Sequence, residues 1–285
     1  PWPCRAPWAW WRAEPHLLGH AGLGPAWRYS GRMSATRHHQ RADLVRIAVH
    51  AMVQRGLEPE FSPPVNRQLK SLNRFVHALA PGVQDLRQLL WCSIDNDDSR
   101  DLDQLTACEV LPQGAVRLWV AIADVDALVE KDSPIDVHAC TNTTSVYTSA
   151  RIFPMLPEPL STDLSSLNPG VDRLALVTEM VFNADATLAG STVYRALVRN
   201  QAQLAYDAVS AWLDGKAKLP AAAAAVPGMD AQLRTQDAVA QQLRARRHAE
   251  GALEFETFQP RAVFTSKPTE RSRLSSDSRT AASSS

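Results

Sequence analysis

The stretch LTACEVLPQGAVRLWVAIADV (Leu105–Val125) decides the fold, because it has the pattern of a β-hairpin. Two runs rich in branched and aromatic residues flank Pro112-Gln113-Gly114, as in two antiparallel strands that a short turn joins. A second pair of such runs, RLALVTEMVF and STVYRALVR, flanks NADATLAG at residues 183–190. The sequence therefore predicts two hairpins in the middle of the chain.

Helical patterns precede the hairpins. In segment 41–54, Leu44, Ile47 and Ala51 recur at the spacing of one helix face. Segment 60–79 is basic and carries two prolines ahead of its apolar residues, which predicts a helix that begins at the prolines.

Helical patterns also follow the hairpins. Residues 201–215 predict a helix with Leu204 and Trp212 on its apolar stripe and Gly215 as its C-terminal stop. Residues 229–256 predict a second helix that ends in a basic turn, and a proline-bounded segment links the two. The predicted fold class is therefore α+β, with β-hairpins followed by helices, and not a series of βαβ units.

Five aspartates lie within nine positions directly before the first hairpin: Asp95, Asp97, Asp98, Asp101 and Asp103. Side chains two residues apart in an extended segment point to the same side, so Asp101 and Asp103 can face one ion. Asp95 can return to that ion if residues 96–100 loop out. Carboxylate oxygens suit Mg²⁺, Mn²⁺ or Ca²⁺. A solvated loop, a helix N-cap and a structural salt bridge are the alternatives to a metal site.

Composition and missing motifs narrow the classes of function. Lys+Arg and Asp+Glu both count 30, so the zero net charge gives no global signal for nucleic acid. The four cysteines form no Cys-x-x-Cys pair, and no apolar run reaches the ~18 residues that a membrane span requires. An EF-hand loop starting at Asp95 fails, because Arg100 and Thr106 stand where glycine and glutamate are needed. We expect reduced thiols and a cytoplasmic location.

Several landmarks together carry a family resemblance. SIDNDDSRDLDQLTACEV, followed by LWVAIADVDALVEKDSPID, resembles the signature region of the ribonuclease II-type exoribonucleases, the RNB-domain family. The segment 141–182, with its Pro-Met-Leu-Pro stretch followed by Leu-Ser, is similar to the next part of that family. LAYDAVSAWLDG and RRHAEGALEFE resemble later landmarks. The resemblance implies the N-terminal half of an RNB-type catalytic domain.

Both ends of the chain differ in composition from its middle, and the resemblance covers the middle, so together they predict a domain organisation. We expect a non-native or disordered leader at residues 1–32, with the natural start at Met33, and a helical lead-in at residues 33–90. A partial RNB-like catalytic domain is expected at residues 91–264, and a disordered tail at residues 265–285.

The activity implied by the resemblance is Mg²⁺-dependent hydrolysis of single-stranded RNA from its 3′ end to nucleoside 5′-monophosphates, with Mn²⁺ as an alternative ion. Asp95, Asp101 and Asp103 correspond to metal ligands, and Asp101 and Asp103 to catalytic residues. Tyr147 corresponds to a tyrosine that packs on the terminal nucleotide, and Arg151 beside it is a candidate phosphate contact. No membrane and no obligate protein partner are implied.

Each of the two RNA contacts has a structural alternative. Tyr147 is otherwise a buried core tyrosine, and Arg151 an exposed arginine without a special role. Asp124 is expected to hold a turn after a strand, and Asp97 and Asp98 to face solvent.

Two departures from the family pattern keep other functions open. Gln104 stands where many members carry a further aspartate, and an amide binds Mg²⁺ more weakly than a carboxylate. The family's catalytic domain continues beyond Phe264 through an assisting arginine and an Arg-Tyr motif, so we expect this chain to lack half of that domain. The alternatives are a catalytically dead RNA-binding fragment and a different metal-dependent phosphodiesterase.

Overall fold

A computed structural model describes residues 41–72 and 81–253. The predicted leader, the predicted tail and residues 73–79 of the predicted helix at 60–79 lie outside the described residues. The α-helices in the described ranges are α1 (Arg41–Gln54), α2 (Pro63–Ser71), α3 (Pro134–Asn142), α4 (Tyr206–Leu213), α5 (Ala221–Ala224) and α6 (Met229–Ala249). The strands there are β1 (Gln84–Asp85), β2 (Cys92–Asp95), β3 (Gln104–Val110), β4 (Val116–Ala123), β5 (Val146–Tyr147), β6 (Ile152–Phe153), β7 (Asp172–Phe182), β8 (Leu188–Arg199) and β9 (Ala202–Ala205).

Seven of these strands form one mixed sheet in the order β1-β8-β7-β4-β3-β2-β9. The pairs from β8 to β2 are antiparallel, whereas β1 and β9 join the two edges in parallel. Strands β5 and β6 form a separate two-stranded sheet. The α+β fold class predicted from the sequence is confirmed.

Both predicted hairpins are present. In the first, β3 and β4 pair from Gln104↔Ile122 to Val110↔Val116. Gln113 and Gly114 adopt positive φ values of 66° and 80°, and glycine takes up this left-handed conformation without steric cost. The second hairpin joins β7 to β8, and its second strand begins at Leu188, three residues before the predicted Ser191.

One face of the sheet forms a core, and helices cover part of the opposite face, on which Ile122, Leu176 and Val193 are exposed. On one face Leu105, Trp119 and Val177 pack together with Trp91, whose indole N–H donates to the carbonyl of Leu86 at 2.8 Å. Each large side chain that is fully buried in this way contributes roughly 1.5–3 kcal/mol through the hydrophobic effect. On the opposite face α4, α5 and α6 cover the β2–β9 edge through the following side chains: Leu204, Val209, Trp212, Ala223, Met229 and Leu233.

The helix predicted for residues 201–215 is wrong in its first part. Residues 202–205 form β9, which pairs in parallel with β2 from Cys92↔Ala202 to Asp95↔Ala205. Ala202 and Leu204 are buried at alternating positions, so Leu204 belongs to a strand and not to a helical stripe. Pairing with a distant strand has overridden the helix propensity of alanine and glutamine. The helix begins at Tyr206, and Gly215 follows its end with a φ of 73°.

The upstream segment contains the two predicted helices and one strand. Helix α2 begins at its two prolines and packs against α3 through Val65 and Ile135. Strand β1 lies within the segment that the sequence predicted to be a helical lead-in, and it pairs with β8 at Ala196 and Leu197. The lead-in thus contributes an edge strand to the sheet.

Candidate active site

The aspartate-rich segment leaves the sheet at the end of β2 and returns at the start of β3. Asp95 is the last residue of β2, and its carboxylate accepts the backbone N–H of Asn96 at 2.7 Å. The N–H of Ser99 donates to the carbonyl of Asn96 at 3.2 Å, which closes a turn. Residues 96–100 therefore loop out, as predicted, and Asp97 and Asp98 are exposed.

Leu102 fixes the direction of its two acidic neighbours. Its side chain is only 2% exposed, its N–H donates to Ser166 Oγ at 3.0 Å, and its carbonyl accepts from Leu167 N at 2.8 Å. Asp101 and Asp103 flank it and are exposed. Alternation about this buried leucine turns the two carboxylates to the same outer side.

The charges of Asp95 and Asp101 act on Asp103. Partial desolvation raises the pKa of Asp103, and the negative charges of Asp95 and Asp101 raise it further, while a backbone hydrogen bond opposes them. Asp103 is exposed on one side, yet the protein around it removes part of its hydration. The folding of the loop has therefore collected like charges at one place, which costs free energy unless a cation offsets their repulsion.

Tyr147 lies beside this acidic group. Desolvation raises the pKa of its phenol, and the charges of Asp101, Asp103 and Asp95 add to that shift. The side chain is 68% exposed, so Tyr147 is not a buried core tyrosine. Its cross-strand partner in the small sheet is Ile152, which is 53% exposed. The two side chains form an exposed apolar surface close to the carboxylates.

A second tyrosine near the carboxylates was not predicted. Tyr206 begins α4 directly after Ala205, which pairs with Asp95. Desolvation raises the pKa of Tyr206, as do the charges of Asp95 and Asp103, whereas a hydrogen bond with the side chain of Gln104 lowers it. The sequence contains only a weak signal for Tyr206, because its proximity to the carboxylates depends on the parallel pairing of β9 with β2.

The other predicted residues have structural partners. The guanidinium of Arg151 binds both carboxylate oxygens of Glu60, with Nη2 to Oε2 at 3.0 Å. Asp124 accepts the N–H of Ala127 at 3.2 Å and forms an ion pair with Arg195 at 2.8 Å. The structural role expected for Asp124 after β4 is confirmed.

In the described ranges, no three His, Cys, Asp or Glu side chains form a group that could hold a metal ion. The charges of Asp95 and Asp101 act on Asp103, but the three predicted ligands do not form a coordination shell. Their chemistry nevertheless fits a hard cation, because all three are carboxylates and in the described ranges no lysine or arginine pairs with them.

A family comparison assigns a class to the chain that has this mixed sheet, acidic loop and exposed apolar surface. The RNB domain model matches residues 83–284, and the chain belongs to this family of exoribonucleases. The match begins eight residues before the predicted start of the catalytic domain at Trp91, and so includes β1.

Named relatives agree with the family. Ribonuclease R of Vibrio parahaemolyticus is 38% identical over 209 residues, which are 73% of this chain and 25% of that protein. Ribonuclease R of Escherichia coli is 45% identical over 134 residues, which are 47% of this chain and 16% of that protein. Mycoplasma genitalium RNase R in complex with ribose methylated single-stranded RNA has a TM-score of 0.71 at 27% identity, with 78% of this chain and 34% of that one covered. The same RNase R in complex with double-stranded RNA also has a TM-score of 0.71.

The chain thus spans about a quarter of the length of the Vibrio relative. Among the described helices, including the 21-residue α6, none combines the length and the apolar character that a bilayer crossing requires.

Proposed function

We propose that this chain carries the metal-binding and RNA-binding part of a Mg²⁺-dependent exoribonuclease that degrades single-stranded RNA from its 3′ end to 5′-monophosphates. One observation carries the proposal: the loop after β2 turns back at Leu102, so that the charges of Asp95 and Asp101 act on Asp103, and the exposed Tyr147 lies within reach of all three. Membership of the RNB-domain family supports it. A cytoplasmic location and the lack of an obligate protein partner remain predictions.

Each residue has a role that follows from its chemistry. Asp95, Asp101 and Asp103 would hold Mg²⁺ or Mn²⁺, and Asp103 would also position the attacking water. A bound ion of this kind neutralises the scissile phosphate and lowers the pKa of the attacking water. Removing any one of these carboxylates would weaken the hold on the ion.

Tyr147 would stack on the base of the 3′-terminal nucleotide. Stacking on an aromatic ring contributes ~1–3 kcal/mol per base and accepts every base, because each base has a π-face. The 68% exposure of Tyr147 supports this role. The phosphate contact predicted for Arg151 is less well supported, because Glu60 occupies its guanidinium.

A second candidate function is RNA binding without turnover. Gln104 supports it, because its amide stands where many members of the family have a carboxylate. Fewer carboxylates give a weaker site for Mg²⁺.

One experiment separates the two candidates. Single-stranded RNA labelled at its 5′ or its 3′ end is incubated with the 285-residue chain at increasing Mg²⁺ concentration, with EDTA as control. Stepwise shortening of the 5′-labelled RNA, with mononucleotide released from the 3′-labelled RNA, supports the exoribonuclease. Saturable binding with no product at any Mg²⁺ or Mn²⁺ concentration supports the second function and contradicts the first.

A further inference from the structure

We infer that the linker between α1 and α2 (residues 55–62) is a positioning element for Tyr147, and that it acts through the ion pair between Glu60 and Arg151. The inference rests on the proposed function, because it assigns a purpose to the orientation of Tyr147. It also gives Arg151 a role other than phosphate binding.

The hairpin that carries Tyr147 is too small to hold its own shape. Its strands β5 and β6 have two residues each, and an isolated two-stranded hairpin is marginally stable in water. Inside the turn, Thr148 Oγ1 donates to the carbonyl of Arg151 at 2.6 Å and accepts the N–H of Arg151 at 3.0 Å. These bonds fix the turn but not its direction relative to the acidic loop.

Contacts from the upstream segment supply that direction. Glu60 binds the Arg151 guanidinium through both carboxylate oxygens, although 91 residues separate the two in sequence. Arg41, at the start of α1, donates its Nε–H to the carbonyl of Ala150 at 3.0 Å. The Arg151 guanidinium also lies 4.7 Å from the centre of the Phe153 ring. The turn is therefore held from two points outside the small sheet.

The linker itself is anchored next to the hairpin. The backbone N–H of Glu58 donates to Asn142 Oδ1 at 2.8 Å, and Asn142 Nδ2 donates to the carbonyl of Glu58 at 2.9 Å. The Glu58 carboxylate lies 2.8 Å from Nδ1 of the buried His138, and the Phe61 ring packs on that imidazole at 4.6 Å. Because α3 ends at Asn142, these bonds hold the linker within a few residues of β5.

The strand register connects the Glu60–Arg151 ion pair to the exposed apolar surface of Tyr147 and Ile152. Arg151 immediately precedes Ile152, and Ile152 pairs directly with Tyr147 across the small sheet. Directly opposed residues share a face of a sheet, so the direction of this face follows from how the turn is held. A planar guanidinium that is bound at two points resists rotation better than an ammonium group does. Arg151 is therefore suited to a positioning role.

The positioning role and the direct phosphate contact predict opposite signs for one substitution. Glu60→Ala frees the Arg151 guanidinium. If Arg151 contacts phosphate, Glu60→Ala should leave RNA binding unchanged or make it tighter. If the ion pair positions Tyr147, the same substitution should weaken stacking on the terminal base.

The test uses ribose methylated single-stranded RNA that ends in 2-aminopurine, whose fluorescence changes when its base stacks on an aromatic ring. With the 285-residue chain, the fluorescence change on binding should be lost in Tyr147→Leu and reduced at least by about half in Glu60→Ala and Arg151→Lys. The double exchange Glu60→Arg/Arg151→Glu should restore most of it. Asp126→Ala is the matched control, because it removes the acid of another exposed pair, Arg195–Asp126 at 2.6 Å.

Hydrogen exchange without RNA tests the ion pair separately. Amide protons of residues 145–153 should exchange up to about fivefold faster in Glu60→Ala, the factor that corresponds to ~1 kcal/mol from an exposed ion pair. Exchange in β3 and β4 should not change.

The outcomes distinguish the two claims. A fluorescence change that survives Tyr147→Leu overturns the proposed function and this inference with it. A change that is lost in Tyr147→Leu but intact in Glu60→Ala overturns the inference alone, as do unaltered exchange rates in residues 145–153.

Discussion

Two groups of aspartates lie in opposite electrostatic surroundings. Near the β1 edge of the sheet, Arg87 binds Asp85 at 2.6 Å and Asp172 at 2.9 Å, and Arg199 binds Asp172 at 2.6 Å. Hydrogen bonds from Arg87 lower the pKa of Asp85 to about 2. The hydrogen bond from Arg199 does most to lower the pKa of Asp172, and Arg87 adds to it against some desolvation.

The three aspartates predicted as ligands at the loop after β2 lack, in the described residues, the arginine partners that the aspartates at the β1 edge have. In the described part of the chain, Asp95, Asp101 and Asp103 have no lysine or arginine partner, and the pKa of Asp103 is raised. The contrast teaches that the fold neutralises the acids at the β1 edge with arginines and leaves Asp95, Asp101 and Asp103 without a cationic side chain in the described ranges. Ionisable groups whose pKa is shifted by burial and by neighbouring charges cluster at functional sites.

The largest expected effect concerns turnover. Asp103→Asn keeps the size of the side chain and removes its charge, so we expect kcat for RNA to fall at least about 10³-fold through the loss of metal and water positioning. The carboxylate of Asp103 repels RNA phosphate and does not attract it. RNA affinity should therefore change by less than about threefold when this charge is removed. The measurement is single-turnover cleavage beside equilibrium binding, with Asp172→Asn as control. Full turnover in Asp103→Asn would refute the role of Asp103.

The next effect concerns affinity. Tyr147→Leu removes the aromatic ring, so binding of single-stranded RNA should weaken by ~1–3 kcal/mol, which is about 5- to 150-fold. Tyr147→Phe keeps the ring and should bind as the wild type does. Fluorescence anisotropy with labelled RNA checks both variants, and equal weakening in the two would point to the hydroxyl group and not to stacking.

A smaller effect concerns stability at the paired aspartates. Asp172→Asn removes charged hydrogen bonds from a partly exposed carboxylate, so the free energy of unfolding at pH 7 should fall by about 1 kcal/mol. The folded-state pKa of Asp172 is lowered, so its contribution is present above its unfolded pKa and is lost as pH falls through the folded value. The difference in the free energy of unfolding between Asp172→Asn and the wild type should therefore become smaller below about pH 4. Urea unfolding across pH tests this, and a gap that is independent of pH would contradict it.

The smallest expected effect is on stability at the loop after β2, where removing the charge of Asp103 should stabilise the protein and not destabilise it. The folded-state pKa of Asp103 is raised, so its contribution to stability is present below its unfolded pKa and is lost as pH rises through the folded value. Asp103→Asn should therefore raise the melting temperature slightly at pH 7 without Mg²⁺, and added Mg²⁺ should remove that advantage by stabilising the wild type. A lower melting temperature in Asp103→Asn would show that the contrast between the two groups is false.

The sequence predicted the parts of the fold that local pattern determines. Branched residues around Pro112-Gln113-Gly114 identify the first hairpin, and the helical pattern of residues 229–256 with its basic turn identifies α6. The acidic loop could also be predicted, because the five aspartates and the buried Leu102 are neighbours in the chain.

The parts that failed depend on distant contacts. Residues 202–205 have the composition of a helix, and only their pairing with β2, about 110 residues earlier in the chain, makes them a strand. The place of Tyr206 next to the carboxylates follows from that pairing. The partner of Arg151 could not be predicted either, since Glu60 lies 91 residues away in a segment outside the family match.

Mn²⁺ binding followed by electron paramagnetic resonance tests the acidic site most directly, because the signal of the free ion falls as the ion binds. We predict saturable binding to the wild type, competition by Mg²⁺, and equal binding to Asp172→Asn. Asp95→Asn and Asp103→Asn should each weaken binding at least about tenfold. Equal Mn²⁺ affinity in Asp103→Asn and the wild type, or no saturable binding to the wild type, would contradict a metal site at these aspartates.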